Sequence, residues 1–155
     1  MTFRITGLDP APFRHLFGLP DDDLAALGVS RMVADAHPGY PDRIELRDAQ
    51  PGETLLLLNF EHQPAPTAYR SRHAIFVIEG AGERFNAVGV VPEVLKIRPM
   101  SLRAFTCDGE MVDADLADGT ELVPLIERLL ADPRVDYLQA HYARRGCYAA
   151  RIDRA

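Results

Sequence analysis

The sequence predicts an α+β fold, with a mostly antiparallel or mixed sheet, short N-terminal helices and one amphipathic helix near the C-terminus. Three observations predict it. From Val29 onward, apolar residues recur with a period of two in short runs divided by turn residues, which is the pattern of half-buried strands. One late stretch, Thr120–Ala131, instead carries the three- and four-residue recurrence of a helix with a single apolar stripe. The regular strand–helix alternation of a parallel doubly wound sheet is missing.

Thr2–Thr6 reads as an opening strand. Asp9 followed by Pro10 is a helix-start signal, because a side-chain acceptor precedes a residue with preset φ and no N–H to lose. A short helix to about Phe17 follows. Pro20 and the acidic residues Asp21–Asp23 begin a second, since carboxylates complement the positive end of the helix dipole, and Gly28 suits its left-handed stop. Val29–Ala36 and Arg43–Arg47 read as strands around the turn-rich HPGYPD. Glu53–Glu61 and His73–Glu79 read as apolar strands after the turn at Gln50–Gly52. Asp108-Gly109 suits a tight hairpin between Met100–Cys107 and Glu110–Leu116. In the late helix Leu122, Leu125, Ile126, Leu129 and Leu130 share a stripe, with Pro124 near the first turn, where its missing N–H costs least. Val135–Tyr142 and Cys147–Asp153 form a closing hairpin around Ala143–Gly146.

The chain has 155 residues and 47% hydrophobic side chains, values that suit one domain, 1–155. A domain of this size buries about 70% of the surface its unfolded chain exposes, so its fold requires neither a disulfide nor a metal. The net charge of −6 speaks against a nucleic-acid partner, which would call for a basic surplus. No apolar run is long enough to span a bilayer, so no membrane partner is expected. The opening residues lack the charged and apolar regions of a secretory signal, and two cysteines suit a reducing compartment, so the expected location is cytoplasmic. Neither a dinucleotide-binding glycine fingerprint nor a GxxxxGK[ST] phosphate loop occurs, and Gly80–Gly82 reads as a turn. The cofactor, if one is used, is unknown from the sequence.

The candidate site is the polar segment Glu61–His73. Strand alternation puts Leu56, Leu58, Phe60 and His62 on one face, and His73, Ile75 and Val77 on one face of the next strand. Antiparallel pairing then brings His62 and His73 to the same end. Between them lie Tyr69, Arg70 and Arg72, whose guanidinium forks can hold a carboxylate or phosphate, or can simply pair with surface acids. Imidazole has the ordinary pKa for general acid–base work, so His62 and His73 are the candidate catalytic residues; each alone is also read as a half-buried side chain bonded to backbone. The closing hairpin sets His141 beside Tyr148, both candidate ligand-binding residues, and Tyr142 beside Cys147. Arg144 and Arg145 flank that turn and can favour a thiolate, but His141 faces away from Cys147, and an inert semi-buried cysteine is the simpler reading. Tyr40 and Arg43 join a pocket if the HPGYPD turn folds over the sheet. His62, His73 and His141 lack the spacing of a zinc site, so no metal is expected.

The blocks ETLLLLNFEHQP, YRSRHAIFV and HYARRGCYAARIDRA resemble the bacterial family of domain of unknown function 1203, most closely over Pro38–Val77 and Tyr137–Ala155. The resemblance implies no activity, cofactor or catalytic residue. It implies a cysteine after GYP, where this chain has Asp42, so a thiol or metal role at that position does not carry over. Two readings follow from the residues. One is a small-molecule site for an anionic ligand, enzymatic if a histidine transfers a proton. The other is a non-catalytic module in which the same residues form a polar rim and the chain associates as a homodimer through an exposed strand.

Overall fold

The computed structural model describes residues 2–155 as an α+β arrangement of two antiparallel sheets with few helices. The strands are β1 (Phe3–Thr6), β2 (Ser30–Val33), β3 (Thr54–Gln63), β4 (Ser71–Ile78), β5 (Asn86–Val88), β6 (Pro99–Phe105), β7 (Met111–Asp118), β8 (Tyr137–Tyr142) and β9 (Tyr148–Arg154). The α-helices are α1 (Asp21–Ala26), α2 (Glu93–Lys96) and α3 (Leu122–Leu130), and Ala11–Leu16 forms a 3-10 segment. Among the described residues, no helix is long and apolar enough to cross a membrane.

Six strands form one sheet in the order β5-β1-β9-β8-β6-β7, and β2-β3-β4 form the other. Alternation along β6 and β8 sends Met100, Leu102, Ala104, Leu138 and Ala140 inward, and α3 covers them with Leu122, Leu125, Ile126, Leu129 and Leu130. Each such side chain contributes roughly 1.5–3 kcal/mol when removed from water. A second apolar cluster lies on the three-stranded sheet, where Leu56, Leu58, Ile75 and Val77 pack with Phe13, Leu16 and Leu24 from the N-terminal segments.

The segment Arg43–Arg47, whose period predicts a strand, is irregular and is flanked by isolated bridges of Pro41 with Asp48 and of Asp42 with Phe76. The cause is Asp42, which is fully buried. Its carboxylate accepts N–H bonds from Ile44 (3.1 Å), Glu45 and Ile78 (2.7 Å). A side chain that takes these donors removes them from a ladder. Leu46 completes the departure with a φ of 51°. The loop lies tightly against the chain: a Cβ on Gly7 would stand 2.1 Å from the Ile44 carbonyl oxygen, so only glycine fits there.

Candidate functional site

Across β3 and β4, Phe60 lies opposite His73 and Glu61 opposite Arg72, and the register then shifts between Glu61 and Gln63. The bulge carries His62 against the six-stranded sheet. Its ring stacks on Tyr148 at 5.6 Å and meets His141 edge-on at 4.9 Å. His141 and Tyr148 are cross-strand partners on β8 and β9. Gln139 ties the group together. Its amide nitrogen donates to the His62 carbonyl (2.8 Å), and its Oε1 accepts from His62 Nδ1 (2.9 Å) and lies 3.0 Å from His141 Nε2.

Burial dominates the electrostatics of this group. His141 is wholly buried, and desolvation, helped by the positive charge of Arg103, pushes its pKa down to about 3. Desolvation also lowers His62, against the opposing effect of its bond to Gln139. Both rings are neutral near pH 7. They join the two sheets, and His141 has no exposed edge at which a substrate could meet it.

The other sequence-predicted residues make no hydrogen bond to that cluster, although the charge of His73 reaches both His62 and His141. His73 is half-buried and donates from Nδ1 to the Ala74 carbonyl (3.1 Å). Arg70 and Arg72 are exposed and share Glu61, at 3.1 and 3.5 Å, while Arg72 also donates to Asn59 (2.6 Å). By alternation these groups occupy the strand face opposite His73. Tyr69 sits edge-on to Phe105 at 6.5 Å. Among the described residues, no group of three His, Cys, Asp or Glu side chains is placed to hold a metal ion.

A cleft of about 780 Å³ opens where the HPGYPD turn, β4 and the β8–β9 turn meet; of the candidate catalytic and ligand-binding residues, His73 alone lines it. Arg43 is the key to its chemistry. Its backbone is held on two sides, by its N–H to the Phe76 carbonyl (3.1 Å) and its carbonyl to the Leu8 N–H (2.7 Å). The side chain therefore runs inward, where it is 2% exposed. Nε donates to the Tyr148 carbonyl (2.7 Å), Nη1 to the Pro41 carbonyl, and Nη2 to Cys147 Sγ (3.1 Å). No carboxylate among the described residues pairs with it.

Tyr142 stands beside it. The Arg43 guanidinium lies 4.9 Å from its ring centroid and that of Arg98 5.3 Å. Arg98 is neutralised by a two-point pair with Asp48, at 2.6 and 2.9 Å. The Tyr142 hydroxyl is buried and has no hydrogen-bond partner among the described residues, and desolvation pushes its pKa up to about 12. It is thus a proton donor at neutral pH. The exposed Arg144 and Arg145 add positive charge at the mouth. Met32, Leu57, Phe76 and Ile97 supply an apolar wall.

The turn bearing Tyr40 and Arg43 does fold over the sheet, and both residues line the cleft. Sequence reading passed over Arg98, Asp48 and the Tyr142 hydroxyl. The available signal was an arginine directly after Pro41-Asp42 and before the apolar Ile44, in a stretch too apolar to be a solvated loop.

The family described as protein of unknown function (DUF1203) matches residues 39–154, a span that contains Arg43, His73, Arg98, Tyr142 and Cys147. No curated protein matches the chain, and no solved structure does.

Proposed function

We propose that this chain, which belongs to the DUF1203 family, binds a small anionic molecule in the arginine-lined cleft. The observation that carries the reading is the buried guanidinium of Arg43, held without a carboxylate partner among the described residues. A buried cation lacking a counter-charge costs several kcal/mol. The unpartnered Tyr142 hydroxyl adds about 1–3 kcal/mol of unrecovered desolvation. A bound carboxylate or phosphate oxygen answers both, taking an N–H from Arg43 and the hydroxyl proton of Tyr142. The anion-holding role first read into Arg70 and Arg72 thereby moves to Arg43, Arg144 and Arg145.

Any histidine acid–base step would fall to His73, because it lines the cleft, whereas His62 and His141 are neutral and tied to Gln139. The alternative, a self-associating module, draws on the exposure of Tyr69, Arg70 and Arg72. The edge strand β7 argues against association through that edge of the six-stranded sheet. It presents Asp113 and Asp115, held to Arg128, and charge on an edge discourages pairing with a second chain.

Thermal denaturation against a panel of carboxylates and phosphates tests the proposal. At a hundredfold excess over Kd, a ligand stabilises by about 2.7 kcal/mol, which raises Tm by about 5–10 °C at this size. The shift is expected to fall by at least half in Tyr142→Phe and in Arg144→Ser/Arg145→Ser. A panel that leaves Tm unmoved would remove the proposal.

A further inference from the structure

Resting on that anion-binding reading, we infer that the ligand is an apolar monocarboxylate, with its hydrocarbon body on the wall of Met32, Leu57, Phe76 and Ile97 and its carboxylate on Arg43 and Tyr142. Asp48 neutralises Arg98, and Arg144 and Arg145 are solvated, so the buried imbalance at the cleft is one positive charge, that of Arg43. A monocarboxylate cancels it. A dianionic phosphate would bury a further negative charge, and exposed arginines compensate that poorly across water.

The wall supplies the rest. Leu57 and Phe76 are cross-strand partners on β3 and β4, so their side chains share one face of the three-stranded sheet. The Tyr40 ring extends this surface, 5.5 Å from that of Phe76. Met32, Leu57 and Phe76 are each only half-buried, and Ile97 is 46% exposed, so apolar area stands uncovered beside a buried cation. The volume of about 780 Å³ lies within the range of small-molecule sites and far exceeds what an inorganic anion fills. A hydrocarbon body covering the wall also excludes water from the ion pair, which strengthens it.

The test is calorimetric titration of the full chain with acetate, butyrate, hexanoate, octanoate, phenylacetate and inorganic phosphate. Affinity is expected to rise about three- to fourfold per methylene through hexanoate, with phosphate weaker than octanoate. Ile97→Ser, at a half-exposed position of that wall, is expected to reduce the gain per methylene between acetate and hexanoate. Anions that bind equally well whatever their chain length would overturn the apolar-carboxylate inference and leave the anion site standing. A chain-length gain untouched by Ile97→Ser would overturn it too, since the hydrocarbon would then lie elsewhere. Binding by none of the six would remove the anion site itself.

Discussion

Arg43 sits on a loop that Asp42 fastens at Ile44 and Glu45 just beyond it and at Ile78 on β4. With three N–H groups on one buried carboxylate, Asp42 acts as the clamp of an irregular loop, although desolvation raises its pKa against those same bonds. Asp42→Ala leaves the three donors without their partner, and each unmet buried donor costs about 1 kcal/mol or more. The expected loss is about 3 kcal/mol in urea unfolding, together with weaker anion binding as Arg43 loses its position. An unchanged urea midpoint would show that the clamp has no energetic weight. Residue partnerships were legible in the sequence only where both partners sit on adjoining strands. His141 beside Tyr148 followed from the closing hairpin alone. Arg43 on Cys147 spans 104 positions, and no local pattern encodes a contact of that separation.

The elements divide along the same line. The strands β3 and β4 and the hairpin β8–β9 follow from alternation and turn chemistry, which are local properties. The bulge between Glu61 and Gln63 is not local. Strict alternation puts His62 and His73 at one end of the hairpin; the contacts of His62 with Tyr148 and His141 in the other sheet, where Phe60 opposite His73 also meets Tyr148, lie beyond what alternation encodes. The loop from Gly39 to Asp48 was the hardest to read. Its apolar residues Ile44 and Leu46 mimic a strand, yet its course is fixed by partners far off in sequence. The N–H of Gly7 bonds to the Phe85 carbonyl (2.9 Å), and that of Phe85 to the Ile44 carbonyl (2.8 Å), which sets the loop against β1. The candidate site was therefore half legible. His73 and the β8–β9 turn could be found from the sequence, but Arg43, on the loop, could be named only on the condition that its turn folds over the sheet.

At the scale of the whole molecule, polar connections between the sheets include Gln139 with His62, Gln63 with the Tyr137 hydroxyl (2.7 Å), and Arg43, from its loop, with the Tyr148 carbonyl. The first has a pH signature. The pKa of His141 is about 3 in the folded chain, below the ordinary value of 6.5, so the unfolded chain takes up the proton first as pH falls. This contribution to stability is complete above pH 6.5 and is lost progressively between there and about pH 3. His62, lowered by the same cause, acts in the same direction. The loss amounts to a few kcal/mol at roughly 1.4 kcal/mol per unit. His141→Gln is expected to be less stable at pH 7 but to lose less between pH 6.5 and 4 than the parent chain, as read from Tm against pH. Parallel curves would mean that the histidine is protonated in the fold. The account as a whole turns on the arginine cleft, and a crystal soaked with 4-iodobenzoate examines it most directly through the anomalous signal of iodine. The expected result is an iodine peak against Leu57 and Phe76, with the carboxylate within about 2.7–3.2 Å of Arg43 and of the Tyr142 hydroxyl. Iodobenzoate bound at another surface, or with its carboxylate turned away from Arg43 toward water, would contradict the account.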